Sequence, residues 1–223
     1  MNLELDHVIV CCDAGAPEAA ALIAAGLLEG SSNVHLGQGT ANRRFFFRNA
    51  YLELLWVSDL DQARREPARR TRLWERWLRR AQGACPFGVA LRPIDVEADE
   101  APPFPTWAYH APYLPKQVSI GIALATPLTE PEFLHLAFAT KPESKNREPM
   151  THPAGFAQLT GVRIGVPSGV HSAAAKAASA SGFVAFFEDD RYVMELLFDG
   201  RSDLRVDLRP ALPLVLRSED PTP

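Results

Sequence analysis

Cysteine is scarce in this chain, and its scarcity is informative. Three cysteines stand among 223 residues, Cys11, Cys12 and Cys85, and two of them are adjacent. An odd set so spaced does not build a disulfide framework and fits a reducing compartment, so a cytoplasmic location is expected. Long apolar runs are missing too: charges or prolines interrupt every hydrophobic stretch before the roughly 20 residues a membrane span needs. The opening Met1-Asn2-Leu3-Glu4-Leu5-Asp6 carries acids where a secretory leader carries bases. There is no basic excess. The 23 Lys and Arg residues stand against 27 Asp and Glu, a net charge of -4, which gives no reason to expect a nucleic-acid partner. Gly-x-Ser-x-Gly, Cys-x-x-Cys and His-Glu-x-x-His runs do not occur, and Gly37-Gln38-Gly39 lacks the following helix start and lysine of a phosphate loop.

What is present describes a globular, strand-rich chain. Apolar residues make up 47% and charged residues 22%, and 19 prolines imply many loops or strands. The run Leu3-Glu4-Leu5-Asp6-His7-Val8-Ile9-Val10 alternates as a strand, with Leu3, Leu5, His7 and Ile9 expected on one face. Pro17 opens an alanine- and leucine-rich helix reaching Leu28, and strands follow near 34–36, 44–48 and Tyr51–Val57. Residues 59–83 read as a connecting helix capped by Asp59 or Asp61. One face carries Leu73, Trp74, Trp77 and Leu78, and the remainder is rich in arginine. That arginine face reads as a solvated surface, with an anionic-partner surface as the competing reading.

Strand signals return at 87–91, 107–109, 118–125 and 133–139, with an acidic, proline-rich loop at 93–105. A third set comprises a strand at Leu159–Val166, an alanine-rich helix at 169–181, and runs at 183–187 and 192–198 expected to form a hairpin. Weak internal repetition accompanies this order. Leu5-Asp6-His7-Val8-Ile9-Val10 resembles Leu159-Thr160-Gly161-Val162-Arg163-Ile164. Tyr51-Leu52-Glu53-Leu54 resembles Tyr192-Val193-Met194-Glu195-Leu196 and, more faintly, Phe133-Leu134-His135-Leu136. A duplicated unit is therefore expected, spanning 1–58 and 84–140, with a loop at 141–158, a third partial unit at 159–215 and a tail at 216–223.

These residues resemble a known family. Leu5-Asp6-His7-Val8 and Tyr51-Leu52-Glu53-Leu54 look like first- and last-strand motifs of the vicinal oxygen chelate superfamily, which includes glyoxalases, bleomycin-resistance proteins and dioxygenases. His35-Leu36-Gly37-Gln38-Gly39-Thr40-Ala41-Asn42 is similar to a His-x-x-x-Gly-Thr-x-Asn run of its glyoxalase-like branch. Thr151-His152-Pro153-Ala154-Gly155 is similar to a His-Pro-Asn-Gly element of that branch, with alanine in place of asparagine. The resemblance implies an α+β fold of repeated βαβββ units forming a cup-shaped, largely antiparallel sheet with helices outside. In active members the cup holds a divalent metal that grips two neighbouring oxygens of a substrate. Other members have lost the metal and bind drugs or small ligands.

On this chain the implied metal set is His7, Glu53 and His135, for Mn, Fe, Ni, Zn or Mg, with Glu195 competing for the last place. The position of a further ligand falls at Gly88 or Gly161, which cannot ligate. A carboxylate inside an apolar strand needs a counter-charge, a metal or a raised pKa, so without a metal Glu53 reads as a general base, or else as an edge residue facing water. His7 is either a ligand or a core histidine bonded to a neighbour. His35, Thr40 and Asn42 would line the mouth of the cup or simply cap a turn, and Trp107 would wall an apolar pocket or pack as ordinary core. His152, before a proline in a loop, is expected to be exposed. Three functions follow: a lyase, isomerase or dioxygenase acting on a small oxygen-bearing metabolite, a metal-free small-molecule or drug-binding protein, or a protein working through its arginine-rich segment. A small-molecule partner is expected, nucleic acid and membrane are not, and an open strand edge would allow a homodimer.

Overall fold

The computed structural model describes residues 3–95, 101–145, 147–200 and 204–219. Its centre is β1 (Leu3–Cys11), an apolar strand buried along nearly its whole length. A short helix, α1 (Ala19–Ala24), and the strands β2 (Asn33–His35), β3 (Thr40–Phe46) and β4 (Tyr51–Val57) complete a first unit. In it β4 runs parallel to β1, and β3 and β2 follow antiparallel. A second unit repeats the pattern with β5 (Phe87–Pro93), β6 (Thr106–Tyr109), β7 (Ile120–Ala123) and β8 (Glu132–His135). The central strands β1 and β5 pair antiparallel, which joins both units into one eight-stranded sheet, β2-β3-β4-β1-β5-β8-β7-β6.

The register of that join defines which residues are equivalent. Val8 pairs with Val89, flanked by His7 with Ala90 and Ile9 with Gly88. A local two-fold through the Val8–Val89 pair therefore exchanges His7 with Gly88 and Ile9 with Ala90. Glu53 lies beside Ile9 and Leu134 beside Ala90. Leu134, not His135, thus occupies the place of Glu53.

A second sheet of five strands follows: β9 (Leu159–Val166), β10 (Val184–Glu188), β11 (Val193–Asp199), β12 (Arg205–Asp207) and β13 (Leu214–Glu219), in the order β10-β9-β11-β13-β12. The expected hairpin of β10 and β11 does not form. The helix Ala173–Ala180 carries the chain over so that β10 lies parallel to β9, and β11 takes the opposite side of β9. The antiparallel pair β9 and β11, each with a parallel outer neighbour, repeats in reduced form the centre of the first sheet. The core fills the space between the sheets, where Phe47 meets Phe198 at 4.7 Å and Phe133 meets Phe186 at 6.3 Å. The other face of the larger sheet curls around a cavity. The result is an α+β fold of two curled sheets, and no helix among the described residues is long and apolar enough to cross a membrane.

Three local findings correct the sequence reading. First, β1 does not alternate throughout. Its pairing with β5 slips between Leu5 and His7. Leu5, Val8 and Val10 join the core, whereas His7 and Ile9 line the cavity. Such a bulge inserts one residue, here Asp6, and re-aims the side chains after it. Second, 59–83 is a series of short turns. Asp59 caps Leu60–Ala63 by accepting from the Gln62 amide at 3.0 Å, and Arg72, at φ 59°, divides a 3-10 turn from the helix Leu73–Arg79. Several of its arginines are partnered: Arg76 is buried against Glu132 at 3.3 Å and the Cys85 carbonyl at 2.7 Å, and Arg64 and Arg80 lie over Trp74 and Trp77. Third, His152 is 4% exposed, not solvated. Its Nδ1 accepts from the Leu28 amide at 3.0 Å and its Nε2 donates to the Phe46 carbonyl at 2.8 Å, tying the turn after α1 to β3.

Gly39 sits where the chain turns into β3, at φ 75°, and a Cβ there would lie 2.2 Å from the Asp59 carbonyl oxygen. Gly39→Ala should therefore lower stability by about 2 kcal/mol or more, measured by urea unfolding, and by more than Gly83→Ala, where the left-handed φ of 94° is strained too but a Cβ meets nothing within 4 Å.

Candidate functional site

The cavity has a volume of about 200 Å³ and two dissimilar walls. The first unit contributes polar groups: His7 from β1, His35 from β2, Asn42 and Arg44 from β3, Tyr51 and Glu53 from β4. The second unit contributes Tyr109, Tyr113, Ile120, Ile122, Leu134 and Leu136. The division follows from the register, because strand alternation presents His7 and Glu53 on one side of the two-fold and Gly88 and Leu134 on the other.

A line of buried charge supports the polar wall. Arg92, 1% exposed, donates from Nη1 to Asp6 Oδ2 at 2.8 Å, from Nε to Glu4 Oε1 at 3.0 Å and from Nη2 to the Asn49 carbonyl at 2.6 Å. Asp6 Oδ1 lies 2.6 Å from His7 Nδ1. A carboxylate only accepts, so the Nδ1 hydrogen is directed at Asp6 and Nε2 is left facing the cavity. That nitrogen is 3.4 Å from Glu53 Oε2. The Asn42 amide donates to Glu53 Oε1 at 2.6 Å and is itself oriented by the Asn33 backbone N–H, which donates to its oxygen at 2.7 Å. The His7 ring stacks on Tyr51 at 4.4 Å between centroids.

Burial would raise the Asp6 carboxyl, but the His7 hydrogen bond and the His7 and Arg92 charges together outweigh it and hold Asp6 below its ordinary value. His35 is shifted down, chiefly by burial, so a neutral ring is favoured. Its Nδ1 donates to Thr40 Oγ1 at 2.8 Å, and the Gln38 amide donates to the same oxygen at 2.8 Å. Its outer face stacks on Tyr113 at 4.6 Å. Burial pushes the phenol of Tyr51 well up.

The structure brings together His7, Glu53, His35 and Asn42 at this cavity and places the other candidates elsewhere. Thr40 stands behind His35 as its anchor and is not a lining residue. Trp107 lies outside the lining, against Tyr109 at 5.6 Å and beneath the guanidinium of Arg70 at 4.3 Å. His135 is one residue out of register: Leu134 lines the cavity, so its neighbour faces the opposite side of the sheet, the side on which Phe133 packs. Glu195 belongs to the second sheet, where its neighbours Met194 and Leu196 fill the core and its carboxylate pairs with Arg163 at 2.8 Å and Arg217 at 3.5 Å. Asp6 and Arg92 were not anticipated. An acid in a buried strand and an arginine ending another were the available signals, but only the bulge brings them to His7.

The donors do not fit the divalent metal that the resemblance implies. His7 and Glu53 supply two ligands, and their counterparts across the two-fold are Gly88 and Leu134, which supply none. Among the described residues no cluster of three His, Cys, Asp or Glu is placed to hold a metal ion.

The curled sheet with its off-centre polar cavity has the cup shape of a glyoxalase-type fold. Residues 5–180 match a family described as "Glyoxalase-like domain", and the chain belongs to that family, within the vicinal oxygen chelate superfamily. A crystal structure of a hypothetical protein from Staphylococcus aureus superposes with a TM-score of 0.52 at 11% identity, covering 98% of this chain and 99% of that one, a likeness of fold alone. No curated protein matches the chain.

Two consequences for pH follow. His35 and His152 are both shifted down by burial. Their contribution is complete above about pH 6.5 and is lost as pH falls, because the unfolded chain then binds more protons. The depressed Asp6 carboxyl contributes stability that is complete above about pH 4 and is lost as pH falls through its folded value. Urea unfolding from pH 8 to 3 should show both declines, and Asp6→Asn should flatten the more acidic one while costing ~3 kcal/mol at pH 7 by leaving Arg92 under-compensated.

Proposed function

We propose that this glyoxalase-like protein is an enzyme that moves a proton at a carbon next to a carbonyl group of a small metabolite, in an isomerase or lyase step, with Glu53 as base and His7 as its acid–base partner. The observation that carries the reading is the placement of Glu53 Oε2 3.4 Å from His7 Nε2 at a cavity wall, while Asp6 holds His7 by Nδ1. That is the arrangement in which a carboxylate fixes an imidazole's tautomer and stabilises its protonated form.

The chemistry follows from the atoms present. Asn42 occupies Glu53 Oε1, which leaves Oε2 to remove the proton. The electron pair of the broken C–H bond moves into the neighbouring carbon–carbon bond, and the carbonyl π pair moves onto oxygen, giving an enolate. The proton passes from Glu53 to His7 Nε2. Where the carbon that lost its proton bears a hydroxyl, that O–H proton moves to the enolate oxygen, its carbon becomes the new carbonyl, and His7 returns the abstracted proton to the former carbonyl carbon, completing an isomerisation. Where the next carbon bears a hydroxyl, the enolate collapses back to the carbonyl, the C–O bond breaks and His7 protonates the departing oxygen, completing an elimination. The second amide hydrogen of Asn42 is the donor for the reacting oxygen, whereas neutral His35, its Nδ1 hydrogen committed to Thr40, only accepts there. No step runs through a metal, since the donor set does not fit one, and a dioxygenase step has no donor set to rest on.

A second reading is a metal-free binding protein, favoured by the largely apolar wall of the second unit. Proton exchange separates the two. Small ketones and 2-hydroxy aldehydes incubated in D2O with the protein should exchange a C–H adjacent to the carbonyl, followed by NMR. Glu53→Gln should slow that exchange about a hundredfold or more. Ligands that bind wild type and Glu53→Gln alike, with no exchange from any, would instead establish the binding protein.

A further inference from the structure

Successive residues of β3 face opposite ways: Arg43 pairs with Glu29 through Nε at 2.6 Å, while Arg44 faces the cavity. Arg44 is directly opposite Glu53 in the β3–β4 register. Opposite charges so placed ordinarily pair, yet these do not. Glu53 is turned towards His7 and Asn42. Arg44 is held back by the Ser31 carbonyl, at 2.9 Å from Nε, and the Ser31 hydroxyl, at 2.7 Å from Nη2. Ser31 is fixed in turn by Glu148, which accepts from its amide at 2.9 Å. The guanidinium lies 4.9 Å from the centre of the Phe46 ring and 5.7 Å from that of Tyr51. Among the described residues it is the one Lys or Arg side chain lining the cavity, and it makes no ion pair with a carboxylate. A rigidly mounted cation at the polar wall of a ligand cavity, withheld from its own cross-strand acid, is suited to an anionic group from outside.

From this we propose that the cup takes a small monocarboxylate, with Arg44 binding the carboxylate. Arg44 and Glu53 leave directly opposite positions on β3 and β4 and line the same cavity, so one short molecule can present its carboxylate to the first and a carbon to the second. The remaining wall, with Ile120, Ile122 and Leu134, accepts hydrocarbon. A cavity of about 200 Å³ is smaller than the roughly 300 Å³ at which drug-sized pockets begin. The ligand class is therefore a short 2-oxo carboxylate with an apolar tail. The proposal rests on the same site as the proton-transfer reading but concerns binding, and the two can fail separately.

The test is titration of the protein with 4-methyl-2-oxopentanoate, its methyl ester and 4-methyl-2-pentanone, by calorimetry or ligand-observed NMR. Wild type should bind the acid at least tenfold more tightly than the ester or the ketone. Arg44→Gln should abolish that preference, Arg44→Lys should keep part of it, and Glu53→Gln should keep all of it. Unchanged unfolding midpoints for the Arg44 variants would show that the fold is intact. Equal affinity for acid and ester in wild type, a preference surviving in Arg44→Gln, or no binding of the acid at millimolar concentration would each overturn the proposal. Arg44-dependent binding without exchange of the C3 protons would leave it standing and count against the enzyme, whereas exchange of the ketone as fast as the acid would do the reverse.

Discussion

The site depends on one buried cation. Arg92 is sealed inside the larger sheet with acids on two sides, and its contact with Asp6 sets everything nearer the cavity. A buried carboxylate without a counter-charge would take up a proton and lose its hold on an imidazole. With Arg92 and His7 beside it Asp6 stays ionised, and its carboxylate fixes the His7 ring by Nδ1. The bulge that inserts Asp6 into β1 makes this contact possible, because in a regular strand Asp6 and His7 would point to opposite faces.

Duplication supplies the container, and divergence between the copies supplies its character. Two units with the same strand order meet along β1 and β5, so each cavity-facing position has a counterpart across the two-fold. One copy carries His7 and Glu53, the other Gly88 and Leu134. A symmetric set of ligands on both copies would surround a cation. An imidazole and a carboxylate on one side and a largely apolar surface on the other make the wall directional, suited to a molecule with a polar end and an apolar remainder.

Much of this was legible in the chain. The cup and the convergence of His7 and Glu53 on one wall of it follow from alternation and from motif likeness. The failures share a physical cause, which is that side-chain direction in a strand changes with a single residue. Alternation puts His7 on the face of Leu5, because a bulge leaves no mark in an alternating run. His135 matches Glu53 in sequence because Phe133-Leu134-His135-Leu136 aligns equally well one residue away, and only pairing with β5 decides the register. Asp6 and Arg92 come from strands remote in sequence, and His152 acquires its two backbone partners only when its loop folds onto the first unit. Arginine in 59–83 read as surface, yet Arg76 is a buried strut to Glu132, a difference that depends on packing rather than pattern.

The central claim is that one imidazole bridges Asp6 and Glu53. Nitrogen-15 NMR of histidine-labelled protein addresses it directly, with the His7 resonances assigned by their loss in His7→Asn. The account predicts a strongly hydrogen-bonded Nδ1 proton on His7 that disappears in Asp6→Asn, and an Nε2 resonance that moves in Glu53→Gln. A His7 ring whose two nitrogens respond to neither substitution would contradict it.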